Sequence, residues 1–267
     1  MAIDLHRIGA LEYLIADGIQ APHCFTTRLG GVSEGYLAAM NIGVHRGDDP
    51  RHVARNYEIL GQALGFTAQT LVLTRQTHSD IVRRVSREDA GKGLIHDAYP
   101  ECDALITNDP GTALAVFTAD CTPVLLWDPQ TGAVGAVHAG WRGTASGIAG
   151  KAVEAMVKSY GCRPENIRAA IGPNIAQCCF ETHDDVPKAM TEAYGEGVLP
   201  FIREANQKYY VNLKEINALV LRNAGVTQVE ISPLCTACRQ DLFWSHRRMG
   251  GQRGSQGAII VCQEVHG

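Results

Sequence analysis

Residues 102 to 139 hold four short apolar or β-branched runs in succession: "CDALITN", "TALAVFTA", "PVLLWD" and "GAVGAVHA". Each has the length and residue types of a strand, and turn-sized gaps separate them. No helical stretch intervenes, so the chain lacks the regular strand–helix alternation of a doubly wound parallel sheet. Mixed or antiparallel sheets with helices outside them are expected, which is an α+β class.

Further strands are expected at "HCFTTR" (23), "TLVLTR" (70) and "DIVRRVS" (80), and after the block at "IRAAIGP" (167), "VEISP" (229) and "AIIVCQ" (258). Helices are expected over 49–65, 144–161, 184–195 and 212–225. The second would open on Thr144 as N-cap, and it and the fourth stop at Gly, as left-handed caps do. No repeat, low-complexity tract or Pro/Ser-rich linker interrupts the 267 residues, so one domain over 1–267 is the expectation.

Charge and cysteine usage narrow the function classes. A formal net charge of -4 gives no electrostatic case for a nucleic-acid partner. The basic run "HRRMGGQR" at 246–253 reads as a solvated surface or, failing that, an anion site. No stretch approaches the ~18 apolar residues of a membrane span, and Asp4, Glu12 and Asp17 interrupt any signal-like start. The nine cysteines form an odd, unevenly spaced set, unlike a disulfide framework. A reduced, cytoplasmic protein is expected. "CTAC" at 235–238 is a single CxxC, weak as a metal motif alone. The adjacent Cys178 and Cys179 would join it only where the fold brings them close. No GxGxxG or Walker loop is present.

Three separated stretches carry candidate chemistry. "VHAGWRG" ends a strand at His138 and turns on Gly140 and Gly143 into a helix start, where free N–H groups attract anions. Arg142 would add a bidentate donor for phosphate or carboxylate; the plain alternative makes Trp141 a packing anchor and Arg142 a partner for a neighbouring carboxylate. "TADCTP" sets Cys121 between Asp120 and Pro123 at a break between strands, although a lone cysteine there is ordinarily a small buried hydrophobe. "RQTHSD" sets His78 beside Asp80 in a loop, where a lone histidine is ordinarily structural. Taken together, one thiolate and two imidazoles match a catalytic zinc set with one open position. Asp80 and Asp120 are candidates for the carboxylate that orients a ligand imidazole. Spacings of 43 and 17 residues do not by themselves bring the three together.

"HAGWRGTASGI", with "TRQTHSD", "TADCTPVLLWD" and "IGPNIAQCCFE", resembles the bacterial YfiH-like laccase-domain family, over nearly the whole chain from "FTTRLGG" to "SHRRMGGQRGSQGAII". The resemblance implies sheets sandwiched between helices in α/β/β/α layers, and His78, Cys121 and His138 as zinc ligands. It further implies phosphorolysis of adenosine, inosine and methylthioadenosine, with adenosine deamination, so that purine nucleosides and phosphate are the expected partners. Cys121, Arg142 and Asp120 are the candidate catalytic residues. Where the family reads Thr-Gly-Arg near the C-terminus, this chain reads Arg253-Gly254-Ser255, and Thr182 follows "CCFE" where Val is usual. Substrate preference is the property these departures touch.

Other classes stay open at this point: a metal-free hydrolase with Cys121 as nucleophile and His138 or His78 as base, an editing factor for peptidoglycan precursors, and a copper polyphenol oxidase. None of the ten histidines lies two residues from another, which disfavours the His-x-His pairs of a multicopper site. Copper at the Cys-His₂ set would be adventitious, since Cu(II) outcompetes Zn(II) at such ligands. The oligomeric state, the preferred nucleoside and the general acid do not follow from these residues.

Overall fold

A computed structural model describes residues 2–97 and 99–264; Met1, Ala98 and 265–267, the ends of the expected domain among them, lie outside the described residues. Two six-stranded sheets stack face to face. The first runs in the order β1 (Ile3–Ile8), β2 (Leu11–Ala16), β3 (His23–Thr26), β15 (Gln256–Val261), β7 (Ala113–Thr118) and β4 (Leu71–Leu73). The second runs β14 (Gln228–Ile231), β10 (Arg168–Ile171), β8 (Thr122–Trp127), β9 (Val134–Ala139), β6 (Ala104–Thr107) and β5 (Val82–Arg84). A small third sheet has β11 (Glu181–Thr182), β13 (Lys208–Val211) and β12 (Ile202–Ala205).

The strand block reads as unbroken apolar sequence because both faces of these strands are buried. Along β7, Leu114 and Val116 join Leu105, Leu125 and Ala136 of the opposite sheet, whereas Ala113 and Ala115 turn outward. There they meet Val53, Tyr57, Leu60 and Leu64 of helix α1 (Pro50–Leu64). The second sheet buries its other face, through Ile106, Val124, Leu126 and Val137, against α3 (Ile148–Tyr160) and α5 (Leu213–Asn223). Each fully buried Leu or Val contributes about 1.5–3 kcal/mol. The result is the α/β/β/α layering of an α+β fold. Both sheets are mixed: β7 pairs β15 antiparallel but β4 parallel, and β10 pairs β8 antiparallel but β14 parallel.

Helix α1 fits its local rules, with Asp49 accepting from the Arg51 N–H, Pro50 in the first turn and Gly65 left-handed at the end. The helix expected over 144–161 is two. Helix α2 (Trp141–Ala145) opens at Gly140, and left-handed Gly147 separates it from α3. Thr144 is therefore inside a helix and not a cap; its hydroxyl is buried and accepts from Asn217 Nδ2 at 3.0 Å. Helix α4 (Asp185–Tyr194) packs on the small sheet, and a short α6 (His246–Met249) lies within the basic run. The β1–β2 hairpin and the small sheet are elements that the apolar patterning does not announce.

Candidate metal centre

The β8–β9 hairpin brings Cys121 and His138 together. Its register pairs Pro123 with His138, so Cys121, one residue ahead of β8, reaches the same end as the imidazole. Along β9, Val137 and Ala139 face the helices, which turns His138 towards the space between the sheets. His78 arrives in the connection from β4 to β5, which crosses from one sheet to the other. Its Nε2 lies 3.8 Å from Cys121 Sγ, and the two imidazoles meet edge to face with centroids 5.1 Å apart. One donor atom from each of the three residues lies within 4.8 Å of the others.

A single buried carboxylate holds this arrangement. Asp103, just ahead of β6, is fully buried. Its carboxylate accepts from three successive backbone N–H groups, Thr77 at 3.1 Å, His78 at 3.1 Å and Ser79 at 2.8 Å, and from Ser79 Oγ at 2.7 Å. These bonds offset the positive φ of 61° at His78, a conformation unfavourable for a residue with a Cβ. Asp103 Oδ1 also accepts from His138 Nδ1 at 2.7 Å, which fixes the tautomer and leaves Nε2 as the free donor to an ion.

Burial alone would favour neutral groups here, and in each case the neighbours outweigh it. Burial raises the Asp103 pKa, yet hydrogen bonds from His138 and Ser79 bring it down to about 2. Burial likewise pushes the Cys121 thiol up, but His138 and then His78 hold it at about 6. His138 would fall on burial, and Cys121 and Asp103 lift it to about 9. The site favours a thiolate beside an imidazolium, or beside a cation in its place.

Other expected residues are placed differently. Asp80 forms an ion pair with Lys151 at the surface and does not orient an imidazole. Asp120 is drawn towards the opposite side of the loop, accepting from Thr236 Oγ1 (2.6 Å), Ser245 Oγ (3.0 Å) and the Arg247 N–H (2.7 Å). Asp103 fills the role considered for both. Arg142 is exposed, its guanidinium 4.2 Å above the ring of Trp141, while Trp141 packs with Val186, Met190 and Ile216. Gly140 fits between the ligands: a Cβ there would lie 2.7 Å from His78 Cδ2 and 3.5 Å from Cys121 Sγ.

Two adjoining hollows, of about 220 and 100 Å³, open beside the ligands. They share Arg46, Gln76, His78, Phe117 and Ser255, and the smaller adds Cys121, His138 and Arg253. None of the described lining residues is acidic. Burial, and then repulsion from Arg46, pull the Arg253 pKa down to about 10. Arg253 and Ser255 both line the smaller hollow, and the Arg253 guanidinium donates to Gly254 O at 3.0 Å and to His246 Nδ1 at 3.4 Å. The basic run is thereby divided: Arg253 lines the cavity, whereas Arg247 donates to Cys179 O and Glu181 O. A larger hollow of about 470 Å³, around Leu64, Pro110 and Glu264, has no imidazole in its lining.

Sequence reading missed Asp103, Arg46 and Phe117. A carboxylate opening an otherwise apolar strand, "CDALI", is the one sequence feature that marks Asp103, since a buried charge requires partners.

A family model described as "Multi-copper polyphenol oxidoreductase laccase" matches residues 22–263. A purine nucleoside phosphorylase of Deinococcus radiodurans is 40% identical over 94% of this chain and 92% of its own length. Purine nucleoside phosphorylase YlmD of Geobacillus stearothermophilus is 38% identical over 90% and 89%. A crystal structure of YlmD from that organism superposes with a TM-score of 0.92 at 35% identity, covering 97% of this chain and 99% of the other.

Proposed function

The chain belongs to the laccase-domain enzyme family, and from that premise we propose that it is a zinc-dependent purine nucleoside phosphorylase acting on adenosine, inosine and methylthioadenosine. The observation that carries this reading is the pair Arg46 and Arg253, facing a hollow free of acidic lining beside His78, Cys121 and His138. Two guanidiniums with no carboxylate between them suit a dianionic phosphate, through planar, charge-assisted donor pairs. Phe117 lines both hollows and offers an apolar face to a purine. Adenosine deamination belongs to the same proposal.

The ligand set fits zinc. One thiolate and two imidazoles are its borderline-soft preference, and three protein ligands would leave a fourth position for substrate or water. His138 would bind through Nε2, since Nδ1 is committed to Asp103. When bound, zinc supplies a Lewis-acid charge to an oxygen that becomes more negative in the transition state. The chain's own residues do the rest. Arg46 and Arg253 hold phosphate against the sugar, Asp103 keeps His138 oriented, and the turn at Gly140 keeps His78 and Cys121 in register. The anion role expected of Arg142 passes to Arg46 and Arg253, because Arg142 lies on Trp141 outside the hollows.

A second reading draws on the same contacts. Cys121, His138 and Asp103 are also the order of a thiolate nucleophile, its imidazole and the orienting carboxylate. His78 separates the two, since a hydrolase needs one imidazole and a metal uses both. An oxidase reading is disfavoured because, among the described residues, the histidine-bearing group able to share an ion holds two imidazoles. The test is metal analysis of protein expressed without added copper, followed by a nucleoside panel with and without phosphate. Zinc and phosphate-dependent release of free base are expected, with no phenol oxidation. Full turnover by metal-stripped protein would favour the thiol hydrolase, and phenol oxidation after rigorous copper removal would favour the oxidase.

A further inference from the structure

Away from the cavity, four cysteines from two distant segments meet. Cys178 and Cys179 lie in the turn after β10, and Cys235 and Cys238 in the loop after β14. Cys179 Sγ is 3.4 Å from Cys238 Sγ, and Cys178 Sγ is 3.7 Å from both Cys179 and Cys238; all four sulfurs lie within 4.8 Å of one another. We propose that these four thiolates form a second metal site, a closed tetrahedral zinc that pins the two segments together.

The spacing fits a single four-sulfur ion and excludes a disulfide or a multinuclear cluster. A zinc with four Zn–S bonds of about 2.3 Å sets its sulfurs about 3.8 Å apart along each edge of the tetrahedron, close to the distances here. A disulfide needs sulfurs about 2.05 Å apart, and all nine cysteines are free. An iron–sulfur cluster spreads its cysteine sulfurs around a core of several atoms, wider than the edge of one tetrahedron. Donors to sulfur and cations are also in place. The Ala176 N–H donates to Cys235 Sγ at 3.3 Å, and Arg248 Nη2 lies 3.6 Å from Cys179 Sγ. Buried Lys214 ties the same loop through Ser232 O and Leu234 O. A zinc bearing four thiolates is a dianion, and these groups compensate it.

Four protein ligands leave no open position, so the site is structural. Its place explains its use. The Ile175 N–H donates to Asp120 O at 2.9 Å and Thr236 Oγ1 donates to the Asp120 side chain, so both pinned segments grip the residue before Cys121. The metal would fasten the outer wall of the loop that carries Cys121, whichever reaction that cysteine serves.

The experiment empties the other site. A His78→Ala, Cys121→Ser chain, purified under reducing conditions, is expected to retain one zinc per chain, with an X-ray absorption shell of four sulfurs. Adding Cys238→Ser should remove that zinc and lower the unfolding midpoint. Should the triple variant fail to fold, X-ray absorption of the wild-type protein decides, since the site requires an average shell richer in sulfur than one sulfur and two nitrogens. A metal-free double variant, a retained zinc with nitrogen or oxygen ligands, or a disulfide among these four cysteines would each overturn the proposal.

Discussion

The cluster of His78, Cys121 and His138 and the cluster of four cysteines are joined through Asp120 but built from different material. The first takes Cys121 and His138 from the β8–β9 strand ends and His78 from the connection between β4 and β5, ties both histidines to a fully buried carboxylate, and opens onto a cavity. The second joins two loops, uses sulfur alone, and exposes Cys178 and Cys238 at the surface. A site that leaves a coordination position for substrate needs its other ligands placed by the scaffold, and strands anchored in a core place them most firmly. A closed site makes the opposite demand, since the ion organises the loops that bind it.

Removing a donor at the cavity should have the largest effect. Cys121→Ser is expected to lose the zinc of that cluster and to cut phosphorolysis by more than the ~10–100-fold typical of losing a ligand's hydrogen-bond partner. Metal content and free-base release measure it, and a serine variant with near-normal turnover would erase the contrast between the clusters. Next is Asp103→Asn, which sets an NH₂ against the N–H donors of 77–79. It should weaken zinc by ~10–100-fold in competition with a chelator, with no effect on zinc held by the four cysteines. Of similar size is Arg253→Ala, expected to raise the KM for phosphate ~10–100-fold, from the ~1.5–3 kcal/mol of a charge-assisted contact. Arg142→Ala should leave that KM near wild type, and equal effects of the two would return the anion site to the "GWRG" turn.

The smallest effect concerns pH and metal-stripped protein. Asp103 titrates near 2 when folded, below the usual carboxyl range. Its contribution, on the order of 2 kcal/mol, is therefore complete above that range and lost as pH falls through about 2. His138, lifted to about 9, behaves oppositely: its contribution is complete below the ordinary histidine value and lost as pH rises through about 9. Cys121, held at about 6, gains over that same range what His138 loses, so denaturant titrations of metal-free protein from pH 2 to 10 should show the acid loss alone.

Much of the layered core was legible because doubly buried strands leave continuous apolar runs. The β1–β2 hairpin was not, since β1 buries Ile3 alone and exposes its other five residues, leaving no alternation to detect. The small sheet was missed for a similar reason: β11 is two residues long and β12 buries none of its four. At the site, the donors were legible as a set of types, and hairpin register, which no spacing rule expresses, explains why Cys121 and His138 meet. Arg142 is four residues from His138 in sequence, yet in the structure it lies on Trp141, away from the linings of both hollows. The arginines that line the hollow come from positions 46 and 253, an arrangement visible only after the layers have stacked.

Gly140 carries a warning for anyone engineering this scaffold. Its backbone, at φ -68° and ψ 170°, is open to any amino acid, so a survey of torsions would choose it for replacement by alanine. Such exchanges commonly raise stability by about 0.4–1 kcal/mol through the unfolded chain. Here the added methyl would press on His78, the most exposed of the three donors and the one best able to swing away. A screen for heat resistance would keep that variant, and a screen for bound metal would discard it.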